Sequence, residues 1–456
     1  MTKNISRRQW MGNMGLGTLG GTLTVSAAVP TAFASLPAPS SHVYETDILV
    51  CGGGPAGFAS AANAARLGSK VLLIERYGRL GGMAIQARVH PLMGGVTSPF
   101  LREVVHKVTG GSNFDMEQLD LQYAQILDEA GASFLLHTWA TEPLMVGSRI
   151  TGVKAVSKAG TMTFRARLVI DATGDGDIAA LAGAPVEMGR EPDGLAQPMS
   201  IMYTIRGVAD NAQTCNSEEQ ARQLKIGDET WEDVVTRAQR NGELPETVGV
   251  VRTYATRRKG VMTVNATQIN RVCGTSPEDL TKAELEGRRQ AYQIVKFMNK
   301  YLPGYEEAYI TNMPAVIGVR ETRRIRGLDY LERGDLISGR KWDNAIVRGA
   351  SFPIDIHNPD GSGQAENQHD KEPQGTAARV QPYDIPYTCM IPQKVEGLLT
   401  AGRCISGSHA AHASYRVQNI CIAMGAGVGT VAAVALSDNV APVDVNIEKV
   451  QKLIFG

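Results

Sequence analysis

The chain lacks an excess of either charge, because Lys+Arg and Asp+Glu both number 46. A neutral chain has no broad basic surface, which argues against nucleic acid and anionic lipid as partners. Its six cysteines, Cys51, Cys215, Cys273, Cys389, Cys404 and Cys421, form no C-x-x-C pair and no metal-ligand spacing. Neither a dithiol redox centre nor a metal site is therefore expected. Cys51 falls inside an apolar run and reads as a small buried hydrophobe. Outside the N-terminal leader no run is read as long and apolar enough to span a bilayer, so no stable membrane insertion is expected. No internal repeat is present. What the sequence has in quantity is glycine, 49 in 456 residues, with 43% hydrophobic content. That length and content are enough for a large core and two or three domains.

The most informative glycines lie between Asp47 and Arg76. An apolar strand, Ile48 to Cys51, runs into Gly52, Gly54 and Gly57 in G-x-G-x-x-G order, and a second strand closes on Glu75. Gly52 permits a tight turn, Gly54 lets backbone approach a pyrophosphate, and Gly57 lets a helix from Pro55 to Leu67 pack closely on the strand. Pro55 suits the first helical position and Gly68 stops the helix. The exposed N-terminal amides of that helix, Ala56 among them, then face phosphates, while Glu75 accepts hydrogen bonds from an adenosine ribose. This spacing predicts a bound dinucleotide.

The first 34 residues differ from the rest. Ser6-Arg7-Arg8-Gln9-Trp10-Met11 precedes a weakly apolar stretch and the cleavage-type sequence Ala32-Phe33-Ala34. Residues 1–34 read as a twin-arginine export signal and residues 35–44 as a linker, so a periplasmic or secreted location is expected. Export in the folded state suits a chain that must take up its dinucleotide in the cytoplasm. The globular part is expected from Glu45.

Further along, Arg79-Leu80-Gly81-Gly82-Met83 is a glycine turn that brings backbone near a ligand. Asp115 to Ala130 reads as a helix, Ala132 to His137 as a strand, and Ile150 to Arg165 as a small antiparallel sheet with Gly160 at a turn. The strand at Arg167 to Ile170 ends in Asp171-Ala172-Thr173-Gly174-Asp175-Gly176-Asp177. From about Ala184 the nucleotide pattern lapses until Val395. The interval holds strand signals (Met199 to Ile205), a polar helix (Glu278 to Tyr301), an arginine-rich stretch and a polar loop, Asn358 to Gln381, that reads equally as lid or plain surface. Gly397 to Arg403 returns as strand and turn, followed by a small-residue helix in which Gly425-x-Gly427-x-Gly429 reads as close helix packing.

Three separated segments now match one pattern: the first glycine motif with Glu75, Arg76 and Gly81-Gly82; Asp171 to Asp177; and Ala401-Gly402-Arg403-Cys404-Ile405-Ser406 leading to Arg416. With Gly318-Val319-Arg320-Glu321-Thr322-Arg323-Arg324 they resemble the FAD-dependent oxidoreductases related to fumarate reductase flavoproteins and glutathione reductase. The resemblance runs from about Thr46 to Leu436. It implies an α/β fold: a doubly wound, Rossmann-like FAD-binding domain from residues 45–183 and 395–440, with an inserted mixed α+β substrate or cap domain at 184–394. Ala172, Thr173 and Gly174 would bring a further stretch of backbone to FAD, as would Gly402 and Arg403. The C-terminal helix would aim its positive end at the flavin, which favours the reduced form.

No second fingerprint and no C-x-x-C are present, so electrons are expected to pass directly between flavin and a small polar substrate. A hydroxy acid, a sugar derivative and an unsaturated acid are all open, with an external carrier or O2 in the other half-reaction. An O2-using oxidase or hydroxylase and a non-catalytic flavin-binding protein are the alternatives. Arg320, Arg323 and Arg324 share one side if their stretch is helical, and would clamp a carboxylate, unless they are a structural cluster with Glu321 and Asp329. His409, His412 and Arg416 fall near the flavin by connectivity, and either histidine is a candidate for moving the substrate proton. His357 is a further pocket candidate. His90 either lines the pocket or attaches the flavin covalently.

Overall fold

The computed structural model describes residues 43–89, 92–109, 116–191, 193–364 and 379–456. The leader, its cleavage site, His90 and most of the 358–381 loop lie outside the described residues. The first strand starts at Val43, so Val43 and Tyr44 belong to the fold and not to a linker.

That strand, Val43–Cys51, is the centre of the main sheet, and Ile48 to Cys51 are buried on both faces, as a parallel strand covered by helices requires. The strand order is Ser133–Leu135, Val71–Ile74, Val43–Cys51, Gly160–Asp171, Arg149–Ser157, Trp139–Val146, and Leu398–Thr400 also pairs with Gly160–Asp171. Register fixes the site. Cys51 is level with Ile74 on one side and Asp171 on the other, and Asp171 is level with Thr400. Four parallel strands from distant parts of the sequence thus end on one line, and ligand crevices in such sheets open beyond that line. The predicted hairpin is present as Arg149–Ser157 and Gly160–Asp171, with Gly160 at φ +98° where the turn closes.

Above the sheet, the Ala-rich helix Pro55–Arg66 lies against the C-terminal helix Gln418–Asp438. Small residues one turn apart on each helix make the contact. A Cβ on Gly425 would stand 2.1 Å from the Ala56 carbonyl oxygen, and one on Gly429 would stand 2.2 Å from that of Ser60. Gly427 faces the other way and accommodates Ile346. The close-packing reading of these glycines therefore holds. Contrary to the sequence reading, the same helix is long and apolar enough to cross a membrane, but nearly all of it is buried in the core.

A second apolar core, with Trp231, Tyr203, Tyr305 and Phe297 at its centre, lies between a four-stranded antiparallel sheet and the helix Pro277–Tyr301. The strand order is Arg252–Ala255, Val261–Asn265, Met202–Arg206, Tyr309–Asn312. Ser276 caps the helix by accepting the Asp279 N–H, and Pro277 occupies its first turn. Ile346, Val347, Tyr383 and Ile385, from the interval read as a cap, pack instead with the core around the C-terminal helix.

Gly425→Ala should force the two helices apart. The expected loss is about 1–3 kcal/mol for overpacking, read from denaturant melts. Gly334→Ala, in an exposed helical position with nothing within 4 Å of the added Cβ, should be neutral or slightly stabilising, by up to about 1 kcal/mol. Equal stability of the two variants would refute the close-contact account.

Candidate functional site

The glycine loops after the first strand divide the labour that the motif implies. Gly52 has φ +106°, and a Cβ there would meet the Ala172 carbonyl oxygen at 2.4 Å, so it serves the turn and the contact between two strand ends. A Cβ on Gly57 would collide with the Gly52 carbonyl oxygen at 1.9 Å, so it serves helix packing. Gly54 is different. Its φ of −70° suits any residue, and an added Cβ would meet only the Gly82 Cα at 3.8 Å, so the space beside it is open. No side chain caps the helix above it, which leaves first-turn amides free for an anion.

Glu75 binds these loops together. Its buried carboxylate accepts the Gly53 N–H at 2.6 Å and the Tyr77 N–H at 2.8 Å. Burial raises its pKa, against the pull of those hydrogen bonds. Beside it, the Arg76 guanidinium stacks on the Tyr77 ring at 4.7 Å. Asp171 organises the third loop in the same manner, accepting the Thr173 N–H, the Thr173 hydroxyl and the Ala179 N–H at 3.1, 2.7 and 2.8 Å. Burial pushes its carboxyl up to about 6. Arg403 lies against Gly174 and pairs with Asp175 at 2.7 Å, while its buried Nε has no partner among the described residues.

A cavity of about 990 Å³ runs from these loops into the second sheet. Every residue that the sequence assigned to the dinucleotide lines it except Gly57 and Gly81. Those two act behind the wall: Gly57 through helix packing, and Gly81 by donating its N–H to the Gly53 carbonyl at 2.8 Å.

The six residues read as catalytic separate. Arg320, Arg323 and Arg416 line the cavity; Arg324, His409 and His412 do not. The helical premise fails, because Arg323–Ile325 is a strand paired with Val186–Met188, and neighbours in a strand point to opposite sides. Arg323 pairs with Asp177 at 2.8 Å. Arg324 turns inward, is 4% exposed, and binds the Glu321 carboxylate and the carbonyls of Gly407 and Gly189. The short helix His409–Tyr415 directs both histidines behind the wall: His409 Nδ1 lies 2.9 Å from Glu321, and His412, 1% exposed, stands edge-on to Tyr415. Burial and the charge of Arg324 depress the His412 pKa far below the ordinary range. Only Arg416, at the end of that helix, reaches the wall.

A second polar group in the cavity is made of residues that the sequence reading largely missed. Arg252, Tyr254, Asp355 and His357 line the cavity with Arg320 and Arg416. A period-2 signal marked them. In Ile354-Asp355-Ile356-His357 the isoleucines are buried and Asp355 and His357 alternate with them; in Arg252-Thr253-Tyr254 the buried residue is Thr253. Arg416 Nη2 donates to the Asp355 carbonyl at 3.1 Å and to its carboxylate at 3.3 Å. Arg252 stands 3.7 Å from Glu218. Arg320 donates to the Pro198 carbonyl at 2.7 Å, and among the described residues it has no carboxylate partner. Burial, then Arg416, lower Arg320 to about 9, so it stays cationic at neutral pH. Burial alone would raise Asp355, but His357, Arg416 and Arg320 outweigh it and hold the carboxyl well below the usual range.

With that geometry in hand, the comparisons with known proteins are informative. A family model described as FAD dependent oxidoreductase matches residues 47–454. Digeranylgeranylglycerophospholipid reductase 1 of Methanopyrus kandleri is 31% identical over 170 residues, 33% of this chain and 44% of that protein. Glutathione reductase of Schizosaccharomyces pombe is 56% identical over 48 residues, 10% of each chain. The chain thus spans less than half the length of these curated relatives. Among solved structures, a geranylgeranyl bacteriochlorophyll reductase-like protein of Thermoplasma acidophilum aligns with 90% of this chain and 83% of its own, at 14% identity and a TM-score of 0.48.

Gly54→Leu should fold but carry no flavin, because the new side chain enters the open space beside the helix N-terminus and strains no backbone. The protein should melt like the wild-type apoprotein, within about 0.5 kcal/mol, and show no absorbance near 450 nm. Retained yellow colour would refute the assignment.

Proposed function

The chain belongs to the FAD dependent oxidoreductase family, and we propose that its substrate is a small acid, bound as the anion by Arg320 in the cavity that the glycine loops also line. The residues present fit FAD: the open side of Gly54, the uncapped amides above it and the orphaned Arg403 Nε are all placed for a pyrophosphate and its neighbours. When bound, the flavin supplies two-electron hydride exchange. The chain supplies position and charge. The helix Gln418–Asp438 opens on the cavity at Val417 and Gln418, and its positive end favours negative charge there.

The observation that carries the substrate reading is the charge balance around Arg320. Arg416 is paired with Asp355, and Arg252 faces Glu218, but Arg320 hydrogen-bonds only a neutral carbonyl and shares the field of Asp355 with Arg416. A guanidinium in a cavity wall without a carboxylate hydrogen bond is costly, and a substrate carboxylate offsets that cost with a bidentate, charge-assisted pair. A hydroxy acid, an acidic sugar derivative and an unsaturated acid all present such a group. Because no second dinucleotide fingerprint and no C-x-x-C accompany the first, the other half-reaction uses an external carrier or O2.

Arg320→Ala should raise KM, or the Kd of a competing small acid, by roughly 10- to 150-fold, corresponding to about 1.5–3 kcal/mol. Arg323→Ala should chiefly weaken flavin retention through the lost Asp177 pair. An unchanged KM in Arg320→Ala would remove the anion site.

Export through the leader is proposed on sequence alone. Lysine at both Arg7 and Arg8 should leave flavin-loaded precursor in the cytoplasm, as fractionation and immunoblotting would detect; unaltered periplasmic accumulation would contradict the twin-arginine reading.

A further inference from the structure

The cavity end that holds Arg320 has a second polar group that anion binding does not use. His357 is buried, and its Nε2 stands 3.6 Å from Asp355 Oδ2. Its placement is fixed from several sides. The backbone N–H of His357 donates to Gln197 Oε1 at 3.2 Å, a bridge pairs His357 with Gln364, and the Gln364 amide reaches Asp355 Oδ1 at 2.5 Å. Arg416 donates to the Asp355 carbonyl and to the same carboxylate oxygen, Oδ2, that faces His357. Among the described residues no hydrogen bond engages His357 Nδ1, and His357 lines the cavity.

We propose that His357, oriented by Asp355, accepts the hydroxyl proton of a hydroxy acid whose carboxylate rests on Arg320. This deepens the substrate reading above and depends on it. Oxidation of a carbinol breaks one C–H and one O–H bond and forms the second C–O bond of a carbonyl. The C–H hydrogen leaves as hydride with both electrons, for which the family's FAD is the acceptor. The O–H hydrogen leaves as a proton, and His357 is the base that lies beside the anion site.

The electrostatics fit His357 to take a proton from a hydroxy acid and not to give one to an unsaturated acid. Burial, then the charge of Arg320, lower His357 to about 4, with Asp355 opposing and Arg252 adding to the depression. At neutral pH the imidazole is therefore free to take a proton and has none to give to an alkene carbon. Arg320 is also the largest single charge that disfavours the imidazolium. A carboxylate bound to Arg320 cancels part of that field, so substrate binding itself raises the proton affinity of His357. Binding and base strength are linked through one guanidinium.

Formate, a carboxylate without a hydroxyl, separates binding from chemistry. Holoenzyme in weak buffer between pH 5 and 7 should take up a fraction of a proton as formate binds. His357→Gln and His357→Asn, made in parallel and checked for flavin content, should bind formate without that uptake. Arg320→Ala should bind none. Anaerobic flavin bleaching by a panel of glycolate, lactate, malate, tartrate and gluconate should fall roughly 10²–10⁴-fold in the His357 variants for whichever acids bleach the wild type. Bleaching at the wild-type rate without His357, or formate binding to wild type without proton uptake, overturns the role of His357 and leaves the anion site standing. Formate binding unaltered in Arg320→Ala overturns the anion site itself. A wild-type flavin bleached by no acid in the panel overturns the hydroxy-acid assignment.

Discussion

Two helices from opposite ends of the sequence touch backbone to backbone, and the rest of the site depends on that contact. Gly425 and Gly429 leave no room for any side chain against Ala56 and Ser60. The C-terminal helix is thereby held at a fixed depth over the helix that caps the dinucleotide loops. Its N-terminus then opens on the cavity at Val417 and Gln418, and Arg416, just ahead of them, enters the wall. A looser interface with alanine or valine at those positions would keep the helix and lose the address. Dense packing here is a positional device as much as a source of stability.

The second constraint is electrostatic. Three guanidiniums, Arg252, Arg320 and Arg416, line one cavity with Asp355, and Glu218 stands behind Arg252. Pairing a buried charge only partly offsets its desolvation, so an unmatched cation is retained where something else matches it. Arg320 and His357 are the two groups that this imbalance acts on, and it acts on them in a coordinated way. Burial first, and the Arg320 charge second, keep the imidazole neutral, and in the proposed reaction that same charge attracts the substrate anion.

The dinucleotide half of the site was legible because its signals are local. A strand, three glycines with distinct duties, a helix and an acid lie within 30 residues of one another, and each is dictated by backbone geometry alone. Asp171 to Gly174 and Gly402-Arg403 were legible by the same logic. The substrate half was not, since its side chains come from four separate stretches that only the tertiary fold brings together. Arg320, Arg323 and Arg324 were grouped by assuming a helical period, and the extended backbone at Arg323–Ile325 separated them. Connectivity placed His409 and His412 near the flavin, but a two-turn helix was enough to rotate both behind the wall. The alternation that pairs Asp355 with His357 was present in the sequence, and its meaning depended on knowing which face the cavity occupies.

The misplaced residues are still coupled to the cavity, at one remove. Glu321, fully enclosed, accepts hydrogen bonds from Arg324 and from the Gln197 backbone N–H at 3.0 Å, and it lies 2.9 Å from His409 Nδ1. The side chain of Gln197 in turn accepts the His357 N–H. Glu321 is thus the centre of a buried network that fixes the segment carrying His357, and none of its members faces the cavity except through Gln197. Buried ionic groups of this kind contribute little net stability, because desolvation consumes most of the attraction. Their effect is to leave the surrounding backbone a single satisfied arrangement. Arg324 and His409 were singled out from sequence as groups that touch substrate; in the fold, they hold in place the strand end and loop from which the cavity residues project.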